Sequence, residues 1–262
     1  MISVLRPDWP QLQGRVGFLS TLRTGGVSLG PWGDGAGGGG LNLGAHVGDD
    51  PLAVARNRER LCAVAGAQPL WLQQVHGVAV VNADDITPKA RPGQAHAADI
   101  PVADASMATR PGRACAILTA DCMPVLLADA EGKVVGAAHA GWRGLAGGVL
   151  EACVQAMRGA GAGHILAWLG PAIGPAQFEV GEDVVAAFTR EDASARAAFV
   201  PRPEQPGKYL ADLAWLARQR LHHMGIEDVQ ASGHCTVSEP HSFYSYRRDR
   251  VTGRMATLIW KM

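Results

Sequence analysis

The sequence predicts an α+β or layered α/β fold, formed by one large domain or two small ones. Its 262 residues are 47% hydrophobic, which is enough to bury a sizeable core. Apolar runs typical of strands are mixed with segments of helical period, without the strict alternation expected of a doubly wound sheet. No internal repeat and no distinct domain boundary is visible along the chain.

The first third of the chain predicts a strand, a loop, a helix and two more strands. Residues 14–30 favour a strand that runs into a glycine-rich segment, and the low-complexity run at 33–40 predicts a flexible loop. That run lacks the Lys-Ser/Thr of a phosphate-binding P-loop. PLAVARNRERLCAVAG has helical period, starts with Pro51 and follows two aspartates that could cap it. PLWLQQVHGVAVVNA then predicts two strands, with His76 at their junction.

The rest of the chain predicts more strands and three further helices. CAILTADCMPVLLAD is typical of a buried strand pair or of one bulged strand. KVVGAAHAGWRGLAGGVLEACVQAMRGAG predicts a strand, a glycine-bounded turn and a helix. Helices are also predicted in EDVVAAFTRED and YLADLAWLARQRLHHMG. HILAWLG, VQASGHCT and MATLIWKM predict strands, and an arginine-rich loop separates the last two.

Charge and cysteine content argue against several classes of partner. The 24 basic residues equal the 24 acidic ones, unlike the excess of basic residues in a typical nucleic-acid-binding protein. The N-terminus lacks the apolar core of a signal peptide, and no apolar stretch is long enough to cross a bilayer. The five cysteines include no CxxC pair, which argues against a disulfide framework. We therefore expect a cytoplasmic protein that binds neither nucleic acid nor membrane.

Two residues at predicted strand ends are candidates for chemistry. Cys122 lies in TADCMP, where Pro124 breaks a strongly apolar strand. A cysteine in such a strand is usually a buried small hydrophobe, but Asp121 beside it is an acid that is costly to bury unless it is partnered. His139 ends another apolar strand, just before a glycine-flanked turn into a helix. Either residue could be purely structural, yet both positions favour a cleft at the strand ends.

His76 is the weakest candidate when it is considered alone. It lies between a polar strand end and Gly77, and nothing in the local sequence requires it to meet Cys122 or His139. If the three side chains do meet, two imidazoles and one thiolate form a set that fits Zn²⁺ with a fourth position open. The same donors also suit copper.

Arginines provide candidate anion sites. Arg143 stands at the predicted start of a helix, where free backbone N–H groups favour a bound anion. Arg247 and Arg248 follow a tyrosine in the C-terminal loop, an arrangement that suits stacking on a planar base and binding of phosphate. A solvated hairpin explains the same loop equally well. His46 lies in another loop that could approach a ligand.

Several long segments of the chain, in one order, carry a family resemblance. They are LNLGAHVGDDPLAVARNRERL, WLQQVHG, ADA, LTADCMPVLLAD, AAHAGWRGL, WLGPAIGPAQFEVG, KYLADLAWLARQRL and FYSYRRDRVTGRMATLIW, from about Leu41 to the C-terminus. On these segments the chain resembles the YfiH-type laccase-domain family, whose members are called multicopper polyphenol oxidases or purine nucleoside phosphorylases. The chain departs from the family pattern in the glycine run at 33–40 and in EPHSF at 239–243.

The resemblance implies a layered α-β-β-α sandwich, a single domain over residues 1–262 that is similar to a bacterial toxin deamidase domain. It implies that His76, Cys122 and His139 bind a metal, which is zinc, or copper in an older interpretation. The implied activities are phosphorolysis of adenosine, inosine and methylthioadenosine, together with adenosine deamination. The implied partners are therefore purine nucleosides and phosphate, bound by a monomer or small homo-oligomer.

Further site residues are hypotheses built around that metal site. Asp121 could orient His139, another ligand or a ribose hydroxyl. Asn42, in the matched LNLG segment, could contact the substrate. The phosphate could be held by Arg143 with the adjacent helix N-terminus, or by Arg247 and Arg248.

Three other functions remain open at this point. A copper oxidase acting on phenols would need several coppers and many histidine ligands, and the sequence offers one compact set. A metal-free cysteine hydrolase would use Cys122 as nucleophile and His139 as base. A metal-dependent scaffold or binding protein would turn over no nucleoside.

Overall fold

The computed structural model describes residues 2–86 and 100–262. The strands are Val4–Leu5 (β1), Val16–Thr21 (β2), Thr24–Ser28 (β3), Gln68–Leu70 (β4), Val80–Asn82 (β5), Ala105–Ala108 (β6), Arg113–Thr119 (β7), Met123–Asp129 (β8), Val135–Ala140 (β9), Ile165–Leu169 (β10), Glu179–Gly181 (β11), Phe199–Pro201 (β12), Lys208–Ala211 (β13), Val229–Ala231 (β14) and Met255–Lys261 (β15). The helices are Pro51–Ala65 (α1), Trp142–Gly147 (α2), Val149–Gly159 (α3), Glu182–Thr189 (α4), Leu213–His223 (α5) and Tyr246–Asp249 (α6). Among the described residues, no helix has both the length and the apolar character needed to cross a membrane.

Two large sheets form the centre of the molecule. One has the strand order β1-β2-β15-β7-β4, and the other has the order β14-β10-β8-β9-β6-β5. A smaller, three-stranded sheet has the strand order β11-β13-β12. Most pairs in the two large sheets are antiparallel, for example β15 with β7 and β8 with β9.

The central strands are buried on both faces, and their side chains alternate between two apolar clusters. On β7, Cys115 and Ile117 pack between the two large sheets, whereas Ala116 and Leu118 pack in the cluster that contains α1 residues. The outer face of the six-stranded sheet packs against the other long helices in the largest cluster, which contains α3, α4 and α5 residues. The layers are therefore helix, sheet, sheet, helix, and the predicted α-β-β-α sandwich is confirmed.

Double-sided burial explains why these strands appear in the sequence as nearly continuous apolar runs. CAILTADCMPVLLAD forms two strands, which confirms the first of its two predicted alternatives. The two strands are not hydrogen-bonded to each other. β7 belongs to the five-stranded sheet and β8 to the six-stranded sheet, so residues 120–122 cross from one layer to the other. The prediction of a single domain over 1–262 stays a prediction.

The glycine-rich segment at 33–40 has defined contacts at both ends. The Gly33 carbonyl accepts two hydrogen bonds from the buried Arg23 guanidinium, and Asp34 accepts the N–H groups of Ala36 and Gly38. A Cβ on Gly40 would lie 2.1 Å from a backbone oxygen, so only glycine fits there. The predicted flexibility of this segment stays a prediction.

Helix α1 begins and ends where the sequence predicts. It also forms hydrogen bonds with the end of the glycine-rich segment. The Asp50 carboxylate caps the helix by accepting the Leu52 N–H, and Gly66 ends it with a φ of 67°. Asn57, on the inner face of α1, is fully buried. Its amide nitrogen lies within 3.1 Å of the Ser28 hydroxyl and of the Gly40 and Asn42 carbonyls. Its oxygen accepts the backbone N–H of Val27.

We expect Asn57→Ala to lower the free energy of unfolding by about 3 kcal/mol, because buried carbonyls lose their donor. Urea unfolding followed by circular dichroism measures the change. Glu59→Ala, at an exposed position of the same helix, is the control and should unfold within about 0.5 kcal/mol of the wild type. Equal stability of the two variants would contradict the assigned role of Asn57.

Candidate functional site

Two of the candidate residues meet where strands β8 and β9 lie side by side. In this antiparallel pair Met123 is opposite Ala140 and Pro124 is opposite His139, so Cys122 lies beside the end of β9. His139 is buried and occupies the same strand face as Ala137, which packs between the two sheets. The site therefore lies at the rim of the space between the sheets.

His76 comes to the same place from the loop between β4 and β5. Its backbone has a φ of 61°, the left-handed region that few non-glycine residues adopt. Its side chain is exposed, and its Nε2 lies 3.7 Å from the Cys122 sulfur. The rings of His76 and His139 have centroids 4.8 Å apart and are inclined at 63°.

Asp104, at the start of the segment that leads into β6, holds this arrangement together. Its fully buried carboxylate accepts the backbone N–H groups of Val75, His76 and Gly77 at 3.1, 2.9 and 2.7 Å. The same carboxylate bonds His139 Nδ1 at 2.8 Å, and the Asp104 carbonyl accepts the His139 N–H at 2.7 Å. One residue thus orients both histidines.

Asp104 is not among the site residues predicted from the sequence, although a signal for it was present. It is an acid between two alanines in ADASMA, a run that the structure shows to be buried. A buried carboxylate is costly unless it is hydrogen-bonded. This cost is the reason why Asp121 was a candidate, and it applies equally to Asp104.

The electrostatics of the site favour charge separation between Cys122 and His139. Burial raises the pKa of the Cys122 thiol, but interactions with His139 and His76 outweigh that effect and bring it down to about 6. Burial lowers the pKa of His139, but Asp104 and the Cys122 sulfur more than compensate and raise it. Each residue therefore favours the charged form of the other, the sulfur as thiolate and the ring as imidazolium.

The donor set fits a metal ion. The candidate ligand atoms of His76, Cys122 and His139 all lie within 4.8 Å of one another. Because His139 Nδ1 is bonded to Asp104, its Nε2 is the nitrogen left for a ligand, an arrangement common around metal-binding histidines. A Cβ on Gly141 would lie 2.9 Å from both the Cys122 sulfur and His76 Cδ2, so glycine keeps the space beside the donors open.

Asp121 lies next to Cys122 in sequence, but its carboxylate has other partners. One oxygen accepts the Thr236 hydroxyl at 2.6 Å, and the other accepts the Arg247 N–H at 2.7 Å. These bonds attach the C-terminal loop and α6 to the 120–122 crossing. The predicted role of Asp121 in orienting a ligand or ribose stays a prediction.

Two of the predicted substrate residues are engaged in the fold. The Arg248 guanidinium makes five hydrogen bonds, three to backbone carbonyls and two to Asp249. Asn42 is fully buried; its oxygen accepts the Gly44 and Arg254 N–H groups. Its amide nitrogen donates to Asp49. Their predicted contacts with substrate and phosphate stay predictions, but these side chains have few free polar atoms.

The other two predicted arginines are exposed. Arg143 lies over the Trp142 ring, 4.4 Å from its centroid. Arg247 donates one hydrogen bond to the Glu179 carbonyl and keeps other N–H groups available. Both therefore have donors that could reach an anion, and their phosphate-binding role stays a prediction.

The chain is similar to known proteins in both sequence and fold. A family model described as multi-copper polyphenol oxidoreductase laccase matches residues 17–262. The chain is 50% identical to a purine nucleoside phosphorylase of Pseudomonas aeruginosa, over 98% of this chain and 97% of that protein. It is 47% identical to the purine nucleoside phosphorylase YfiH of Escherichia coli, over 99% of both chains. A crystal structure of a Neisseria meningitidis protein superposes with a TM-score of 0.86, at 45% identity over 98% of both chains.

We expect Asp104→Asn to weaken zinc binding about 10- to 100-fold, because an amide is a poorer acceptor for the His139 ring and cannot satisfy the same N–H groups. Competition with a chromophoric chelator measures the dissociation constant. Asp129→Asn is the matched control. Asp129 is also a buried aspartate that accepts three backbone N–H groups, but it lies at the far end of β8. Equal zinc affinity of Asp104→Asn and the wild type would contradict the role of Asp104.

Proposed function

This chain belongs to the multi-copper polyphenol oxidoreductase laccase family, and we propose that it is a purine nucleoside phosphorylase. Such an enzyme uses phosphate to release the free base and leaves ribose 1-phosphate. The observation that carries the proposal is the convergence of His76, Cys122 and His139 in a chain whose curated relatives bear that name. The predicted assignment to the YfiH-type laccase-domain family is confirmed.

Phosphorolysis places two demands on the site. The bond between C1′ of the ribose and the base nitrogen breaks while a phosphate oxygen bonds to C1′, and the transition state has oxocarbenium character. The base leaves with the bonding electron pair and takes up a proton. The enzyme must therefore hold phosphate and nucleoside in fixed positions and stabilise the charge that develops on each side of C1′.

Zinc is our proposal for the metal, held by His76 Nε2, Cys122 Sγ and His139 Nε2. When bound, zinc would supply a Lewis acid that polarises substrate oxygens and activates water at neutral pH. Asp104 keeps His139 in the tautomer that carries its proton on Nδ1 and holds the His76 loop in its left-handed conformation. Copper can bind the same donors and remains part of the proposal.

The finer activities are also proposals. The substrates are adenosine, inosine and methylthioadenosine, and adenosine is also deaminated by water attack at C6 with release of ammonia. Asp121 and Asn42 brace the loops around the site, and Arg143, Arg247 and Arg248 are the sequence-predicted phosphate ligands. The enzyme works in the cytoplasm as a monomer or small homo-oligomer. None of the five cysteines forms a disulfide, which supports a reducing compartment.

One specific observation favours a second candidate, a metal-free hydrolase. Cys122, His139 and Asp104 are arranged as a nucleophile, a base and a carboxylate that orients the base, and the interaction with His139 lowers the pKa of the Cys122 thiol. A copper oxidase with several metals receives no such support. Within residues 2–86 and 100–262 the structure holds one group of three metal-binding side chains.

We expect the wild type to release free base from inosine or adenosine only when phosphate is present, and Cys122→Ala to lower that rate roughly a thousandfold or more. Free base and ammonia are followed in the same reaction. Cys153→Ala is the control, since Cys153 is buried in α3 away from the site. It should lose some stability and keep turnover.

Metal analysis of the freshly purified protein separates the two candidates. Zinc near one equivalent, with activity lost on chelation and restored by zinc, supports the metal site. Turnover that survives complete removal of metal supports the nucleophile. Full phosphorolysis by Cys122→Ala would refute both roles of this residue.

A further inference from the structure

A second group of basic side chains surrounds the loop that follows Asn42. Leu43 lies between two arginines: its carbonyl accepts two hydrogen bonds from the Arg58 guanidinium, and its N–H donates to the Arg254 carbonyl. The Arg254 side chain packs against Gly44, where a Cβ would lie 2.8 Å from its Cγ. His46 follows two residues later, with an exposed side chain.

Arg254 also lies beside the metal-binding donors. Met255 is opposite Thr119 in the β15–β7 ladder, so Arg254 adjoins the 120–122 crossing that carries Cys122. Burial lowers the pKa of Arg254, whereas the nearby Cys122 and Asp121 raise it. Desolvation, followed by the charges of Arg254 and Arg58, lowers the pKa of His46.

The positive charges of Arg58 and Arg254 are not neutralised by ion pairs with the described residues. Within the part of the chain that the structure describes, no carboxylate lies within 4.0 Å of the Arg58 or Arg254 guanidinium. Among the residues that the structure describes, the guanidinium of Arg254 forms hydrogen bonds through Nη1 alone, which donates to the Thr252 and Gly253 carbonyls. Asp121 is close, but its oxygens are bonded to Thr236 and Arg247.

Another polar group nearby also lacks a partner. The Thr252 side chain is 1% exposed, and its hydroxyl oxygen has no hydrogen-bond partner among the described residues. Unpaired buried hydroxyls are uncommon and call for an explanation. Because Thr252 lies two residues before Arg254, the segment that carries this arginine also contains an unpaired hydroxyl donor.

We propose that Arg254 and His46, with Arg58 behind them, bind the phosphate that attacks the nucleoside. This inference rests on the proposed phosphorylase function and gives the reaction an anion site that the sequence did not identify. A guanidinium fork matches two oxygens of a phosphate, and the unpaired charge of Arg254 attracts a dianion. The His46 ring adds a nitrogen that can form a hydrogen bond with phosphate.

The test measures phosphate binding directly, by calorimetric titration of the zinc-loaded protein with inorganic phosphate. We expect Arg254→Gln to raise the phosphate dissociation constant about 10- to 100-fold, because one charge-assisted contact is lost. Arg254→Lys keeps the charge but not the fork, so its effect should be smaller. His46→Gln, at an exposed position that tolerates substitution, should raise the constant several-fold. Arg56→Gln is the control, since Arg56 is exposed on α1 and its loss changes the net charge equally.

Steady-state kinetics provide the second readout. The KM for phosphate should rise in Arg254→Gln by a similar factor, while the KM for the nucleoside and the zinc content change less than about threefold. Wild-type phosphate affinity in both Arg254→Gln and His46→Gln would overturn the inference. Equal weakening in Arg56→Gln would also overturn it, because a general charge effect would then explain the result.

The test separates this inference from the proposed function. If the wild type binds phosphate but releases no base, and Arg254→Gln loses that binding, the anion site stands and phosphorolysis fails. If phosphorolysis occurs and only Arg143→Gln or Arg247→Gln raises the KM for phosphate, phosphorolysis stands and the Arg254 site is overturned.

Discussion

The site depends on one buried carboxylate. Asp104 is fully buried and accepts four hydrogen bonds, from three consecutive backbone N–H groups and from the His139 ring. Hydrogen bonds to a charged group contribute about 1.5–3 kcal/mol each, which offsets the cost of burying the charge. They also offset the roughly 1–2 kcal/mol that the left-handed backbone of His76 costs. Three separate segments of the chain are thereby held in one geometry.

The sandwich determines where these segments can meet. Strands β7 and β8 belong to different sheets, and the chain passes from one to the other at the rim of the sandwich. Cys122 lies on that crossing, His139 ends the neighbouring strand, and Asp121 ties the crossing to α6 through Thr236 and the Arg247 N–H. The packed core behind them limits their movement, so the donors are arranged before any ligand arrives.

The sequence predicted the parts of this site that local pattern controls. Helix α1 and the strand ends at Cys122 and His139 follow from apolar period and its interruption, as does the mixed helix-and-strand composition, whereas the α-β-β-α layering was implied by the family resemblance. His76 was assigned only by family resemblance, because its approach depends on a loop bonded to Asp104, and no local signal reports a contact between residues 28 apart. The arginines show the same limit. Sequence alone does not reveal that the Arg248 guanidinium donates to backbone carbonyls and to Asp249. Nor does it reveal that some N–H groups of the Arg254 guanidinium have no partner among the described residues.

If Arg254 binds phosphate as proposed, Cys122 would link that site electrostatically to the metal-binding side chains. A negatively charged Cys122 sulfur near Arg254 would repel a phosphate that approaches that guanidinium. A divalent cation bound to the thiolate reverses the sign of the local charge, so the same position then attracts phosphate. Metal binding at His76, Cys122 and His139 and the proposed phosphate binding at Arg254 would therefore favour each other. The lowered pKa of Cys122 suits a metal ligand, whereas an uncoordinated thiolate at this position would oppose the approach of phosphate.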